Sequence, residues 1–102
     1  MEGGIQMAKI NLNKPFKAMN GEVLKDGDAP IMMNVFIANV IAGNKNDKPA
    51  VALGIAQRVY NADGEIEVNA IELTILEQAA KNENITALVA GQLLKELGKE
   101  EE

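Results

Sequence analysis

The chain has 102 residues, 47% of them hydrophobic, and a net charge of −5. That length supports one domain with a core that needs no covalent staple. Cysteine and histidine are both absent, which excludes disulfides, thiolate nucleophiles, imidazole acid–base chemistry and the common zinc sites.

Phe16, Phe36 and Tyr60 are the only aromatic residues, so the core must be built from Ile, Leu, Val, Ala and Met. The charge is uneven. Residues 1–50 carry six lysines and five acids, net +1, and residues 51–102 carry four basic residues and ten acids, net −6. An acidic half repels a phosphate backbone, so direct nucleic-acid binding is not expected. The longest apolar run falls far short of the ~20 residues that span a bilayer, and no membrane partner is expected. No signal-peptide pattern is read at the start. A chain without cysteine fits a reducing cytoplasm.

Residues 1–6 read MEGGIQ and precede a second methionine, Met7. Glu-Gly-Gly can be encoded by a purine-rich stretch that contains a bacterial ribosome-binding sequence, at a suitable distance before the Met7 codon. These six residues are expected to be a non-native or disordered leader, residues 7–98 a single globular domain, and residues 99–102 an acidic tail.

Ile10 and Leu12 alternate with polar neighbours, which predicts a short strand over residues 9–12. Residues 16–24 then give the best local β signal in the chain. Asn20-Gly21 between two short runs predicts a hairpin with a type I′ turn. A lone hairpin is not stable, so it must lean on the helices. Residues 25–29 read as a polar connection.

Residues 30–42, PIMMNVFIANVIA, are the most apolar stretch. Pro30 behind Asp28 is a helix start, and Gly43 is a stop. A helix apolar nearly all round is buried on several sides, and the rest of the chain looks arranged to cover it. Met32 and Met33 are expected to fill core gaps. Asp47-Lys48-Pro49 repeats the start signal, and a second helix is predicted over residues 49–60. Its inner face holds Val51, Ala52, Leu53, Ile55, Ala56, Val59 and Tyr60; Gly54, Gln57 and Arg58 lie opposite.

Residues 61–64 form a turn by composition, and residues 65–68 alternate as a strand with Ile66 and Val68 inward. Asn69 then opens a third helix. Glu72 at the third position completes a capping box, and Val68 with Leu73 makes a hydrophobic staple. Ile71, Leu73, Ile75, Leu76, Ala79 and Ala80 are its expected inner face. A fourth helix runs over residues 87–97 from Thr86 as N-cap to Gly98 as stop, with Val89, Ala90, Leu93, Leu94 and Leu97 inward.

No motif in the chain carries catalysis. A calcium loop aligned on Gly64 would place Val59 and Ala70 at obligatory ligand positions, and both fail. Glu65 and Glu67 share a strand face, which reads as a solvated surface rather than a catalytic pair. The glycines form no phosphate-binding pattern. No catalytic residue, cofactor or metal is therefore expected. Interface residues are a different matter. Asn34 and Asn39 interrupt the apolar helix about 140° apart, too far to form one polar stripe. An amide in an apolar setting can fix register across subunits. With Asn34 and Asn39, the residues Ile37, Ile41 and Gly91 make the expected interface; Gly91 in mid-helix would permit a close helix contact at a cost of ~1 kcal/mol.

Five stretches carry a family resemblance. They are residues 20–26 (NGEVLKD), residues 30–42, residues 56–60 (AQRVY), residues 65–69 (EIEVN) and residues 86–94 (TALVAGQLL). In this order they resemble a group of small proteins encoded in bacteriophage and prophage genomes, over residues 7–97. The resemblance implies an origin and brings no catalytic residues with it.

The expected fold is α+β, mainly α: about four helices with a short N-terminal β-hairpin and a candidate third strand. The expected function is that of a non-enzymatic phage or prophage accessory protein acting through protein–protein contacts, in virion assembly or on a host factor. A homo-oligomer, a dimer as first expectation, would cover the surplus apolar surface of the first helix. The alternative is an acidic regulatory binding module, such as an anti-repressor or nucleic-acid mimic. The expected location is the bacterial cytoplasm or the virion.

Overall fold

The computed structural model describes residues 7–98; the expected leader and acidic tail lie outside them. In chain order the elements are β1 (Met7–Ile10), β2 (Lys25–Asp26), β3 (Ala29–Pro30), α1 (Met33–Gly43), α2 (Pro49–Tyr60), β4 (Ile66–Asn69), α3 (Ala70–Ala80) and α4 (Ala87–Glu96). The fold is α+β and mainly α, as expected.

β1 pairs antiparallel with β4, with Ala8 opposite Val68 and Ile10 opposite Ile66. Ile10 and Val68 are buried. On the outer face Lys9 stands opposite Glu67, a favourable cross-strand charge pair. The expected first strand thus begins two residues earlier and ends two residues sooner. Its partner is the second-half strand, so the start of the described chain is sewn to the segment between α2 and α3.

Residues 15–32 fold more tightly than a single hairpin. The Ala18 N–H donates to the Glu22 carbonyl at 2.7 Å, and the Gly21 N–H donates to Ala18 at 2.9 Å. Gly21 has φ +89, while no described non-glycine residue has a positive φ. A type I′ turn needs positive φ at both central residues, so Asn20 does not form one. The turn is a three-residue loop, Met19-Asn20-Gly21, closed by a glycine bulge. The Asn20 side chain instead accepts the Glu22 N–H at 3.0 Å.

A second hairpin follows where a plain connection was expected. Asp26 pairs with Ala29 and Lys25 with Pro30, around Gly27 at φ +68. Three extended segments then close on one another. Leu24 N–H donates to Phe16, Ile31 N–H to Leu24, and Phe16 N–H to Ile31, at 2.9, 2.9 and 3.0 Å. Each segment gives one bond and takes one, so the ring is complete. Phe16 lies in the core at 1% exposure and meets Phe36 of α1 edge-on, with ring centroids 5.4 Å apart. This contact is how the hairpins lean on the helices.

The ring corrects the start of the first helix. Pro30 does not open it; α1 begins at Met33, three residues later. A helix from Pro30 would withdraw Ile31 from both its ring bonds. The Met32 N-cap has no side-chain bond, and the first turn is satisfied from elsewhere in the chain. Met33 N–H donates to the Lys14 carbonyl and Asn34 N–H to the Leu12 carbonyl, both at 2.8 Å.

α2 starts at Pro49 and ends at Tyr60 as predicted. The Asn34 side chain sets it against α1. At 6% exposure, its amide donates to the carbonyls of Tyr60 (3.2 Å) and Val59 (3.4 Å). The Tyr60 carbonyl at the end of α2 is met this way, and the Val59 carbonyl, which also takes the Ala62 N–H at 3.1 Å, gains a second donor. Ala38, Ala52 and Ala56 are all buried on the facing sides, and their small size lets the two axes approach closely.

The capping box at α3 is formed: Glu72 N–H donates to Asn69 Oδ1 at 2.8 Å, and Asn69 N–H to Glu72 Oε1 at 3.0 Å. The same carboxylate takes Arg58 at 2.7 Å through its other oxygen. Arg58 also donates to the Glu67 carbonyl, so one guanidinium joins α2, β4 and α3. α4 docks through Gln92, whose amide accepts the Lys17 N–H at 2.9 Å and donates to the Lys17 carbonyl at 2.8 Å. It is a side-chain imitation of a strand partner. Lys14 and Glu96 pair beside it at 2.8 Å.

Asn34→Asp tests the α1–α2 clamp. A carboxylate there would face two carbonyl oxygens without a donor, so the variant is expected to lose about 3 kcal/mol in urea unfolding at neutral pH. Wild-type stability in that variant would show that the clamp contributes nothing.

Candidate functional site

The structure divides the five expected interface residues. Ile37 and Ile41 are 0% and 6% exposed and belong to the core of their own chain. Asn34 is buried and engaged with α2. Ile37 and Asn34 are enclosed by their own chain, and Ile41 shows only as the floor of a cleft. Gly91 is exposed on α4, and a Cβ there would meet nothing within 4 Å. It therefore permits no close helix contact within the chain. Asn39 alone of the five is an exposed polar side chain on α1.

What remains outward on α1 and α2 is unusual in its charge. Residues 29–44 and 49–57 contain no Asp, Glu, Lys or Arg, and Arg58 is turned away to Glu72. The chain as a whole is strongly acidic, yet its first helix pair has a charge-free outer face. Val35, Asn39 and Ala42 follow one another at i, i+4 and i+7, one stripe of a helix, and all three are exposed. Pro49, Leu53 and Tyr60 make the matching stripe on α2. Leu53 is 51% and Tyr60 52% exposed, although their position on an amphipathic helix predicts burial. Val51, also expected inward, is 41% exposed toward the other flank. The face of α2 that is actually buried is narrower: Ala52, Ile55, Ala56 and Val59. α3 shows the same narrowing, with Ile71 exposed at 52%.

The two stripes run antiparallel. Asn34 ties the start of α1 to the end of α2. At the other end Ala42, Pro49 and Leu53, with Asn44, Lys45 and Asn46 of the loop between the helices, line one cleft of about 450 Å³, floored by Ile41 and Ala52. Val35 and Tyr60 thus lie at one end of the face and the cleft at the other.

A second cleft, about 430 Å³, opens where the C-terminal ends of α1 and α3 meet the loop between α1 and α2. Asn44, Asn46, Gln78 and Asn82 line it over Val40, Ile41, Ile75 and Ala79; Lys45 is its one ionisable residue. Asn44 is occupied in closing α1, donating to the Val40 carbonyl at 2.6 Å. This lining can hydrogen-bond a ligand, but it offers no acid–base pair and no nucleophile.

A third cleft, about 400 Å³, gathers Lys14, Lys17, Lys95 and Glu96 beside Gln92, over Pro15 and Met33. No cluster of three or more Asp or Glu residues able to hold a metal occurs among the described residues. Glu65 and Glu67 are exposed, and Glu67 stands opposite Lys9. Among the described residues no helix is long and apolar enough to cross a membrane. Comparison with known proteins returns no match to a family model, to a curated protein or to a solved structure.

The placement of Ile37 sets an expectation. Ile37→Glu should abolish cooperative unfolding and lower helical circular dichroism, because it buries an unpaired charge. Asn39→Lys, on the exposed side of the same helix, should leave the helical signal unchanged. A folded Ile37→Glu variant would remove Ile37 from the core.

Proposed function

We propose that this chain is a non-enzymatic accessory protein of bacteriophage or prophage origin that works through protein–protein contacts and self-associates. Its setting is virion assembly or a host factor, in the bacterial cytoplasm or on the virion. The observation that carries the contact reading is the charge-free outer face of α1 and α2, with Leu53 and Tyr60 half exposed. Large apolar side chains gathered on an uncharged face mark an interaction surface. The origin rests on the five motif stretches, among which Gln92 has a structural task in docking α4.

Absolute mass by light scattering on a sizing column tests this reading. The expected result is a species heavier than the 10.9 kDa monomer, in a proportion that rises with concentration. It should persist at high salt, because apolar burial is not screened. A monomer at every concentration overturns self-association. Association abolished by salt would favour an acidic surface as the binding element instead.

A further inference from the structure

The outer face of α1 and α2 has complementary features at its two ends. At one end Tyr60 projects, 52% exposed. At the other lies the cleft that Ala42, Pro49 and Leu53 line on the helix side and Asn44, Lys45 and Asn46 on the loop side. Midway along the α1 stripe sits Asn39, four residues after Val35 and three before Ala42. A two-fold axis perpendicular to the helices exchanges the ends of such a face. It carries the projecting end of one copy onto the cleft of the other, and the reverse, as an isologous contact requires. We infer that this face binds a second copy of the same chain about a two-fold axis passing near Asn39, with Tyr60 of each copy seated in the other's Ala42–Pro49–Leu53 cleft.

Three observations favour a second copy over an unrelated partner. The first is electrostatic. Two molecules of net charge −5 repel over most of their surfaces, and this face is where they meet without opposing carboxylates. The second is chemical. An amide both donates and accepts, so Asn39 can pair with its own image, whereas a lysine or glutamate there would meet a like charge. The third is the knob and cleft on one face, a match that a foreign partner does not require. Helices of 11 and 12 residues are about 16–18 Å long, and the pair presents roughly 300–400 Å². That is the size of the largest apolar patch on a typical monomer, which is often functional, and less than the ~800 Å² per partner of a standard interface. The dimer is therefore expected to dissociate on dilution.

This inference rests on the self-association proposed above, and the test separates the two. Light scattering is run on the full-length chain and on variants whose folding is checked by circular dichroism. Leu53→Glu and Tyr60→Ala, both at half-exposed positions, should weaken dimerisation by about tenfold or more. Ile71→Glu, equally exposed on α3 and outside the face, should not. Asn39→Asp and Asn39→Lys should each be monomeric alone, and mixing them should restore a dimer, because opposite charges then face each other across the axis. A wild-type monomer overturns both self-association and this face. A dimer indifferent to Leu53→Glu and Tyr60→Ala overturns the face and leaves self-association standing. A mixture of the two Asn39 variants that stays monomeric overturns the two-fold axis near Asn39.

Discussion

The start of α1 is held by backbone carbonyls rather than by a side chain. A helix with no charged residue, no polar cap and an almost wholly apolar sequence has nothing of its own to satisfy its first N–H groups. Lys14 and Leu12 supply two acceptors, and they do so because the ring through Phe16, Leu24 and Ile31 fixes the chain just beyond them. Phe16, locked in that ring, meets Phe36 on the next turn of the helix. The hairpins are therefore the socket in which α1 sits. Remove them, and the most apolar element of the protein loses its starting point and part of its cover.

From that anchor the assembly proceeds by polar clamps at the edges of an apolar core. Asn34 holds the end of α2, Arg58 carries α2 to β4 and α3, and Gln92 carries α4 back to the hairpin backbone. Each clamp spends a side chain on a backbone group of another element. Such bonds are directional, and they fix how elements meet where side chains such as alanine and isoleucine would allow sliding. The core supplies the driving force and the clamps supply the register.

Function follows from what this arrangement leaves uncovered. α3 and the hairpins cover one side of the α1–α2 pair, and no element of the described chain covers the other. The helix surfaces on that side carry no carboxylate in a protein rich in them, and Lys45 of the loop borders them at the cleft. Ile37 and Ile41, expected at an interface, belong to the core of their own chain, and the exposed large apolar side chains of the pair are Val35 on α1 and Val51, Leu53 and Tyr60 on α2.

What the sequence determined by itself is the set of elements whose signals are local. The capping box at Asn69 and Glu72, the Pro49 start of α2, the Gly98 stop and the alternation at residues 65–68 depend on atoms a few residues apart, and all appear as read. Tertiary structure decided the rest. The signal Asp-x-Pro opens a helix at Pro49 but not at Pro30, because Ile31 has distant partners in Phe16 and Leu24 that a helix would forfeit. Asn34 and Asn39 are alike in sequence, yet one caps a helix 25 residues away and the other faces outward. Periodicity names the apolar face of α2, but how wide a strip is buried depends on which neighbours arrive. α1 and α3 pack along it, and the flanks bearing Leu53, Tyr60 and Val51 stay exposed. Local bonds are written in neighbouring residues, whereas burial belongs to the whole packed chain.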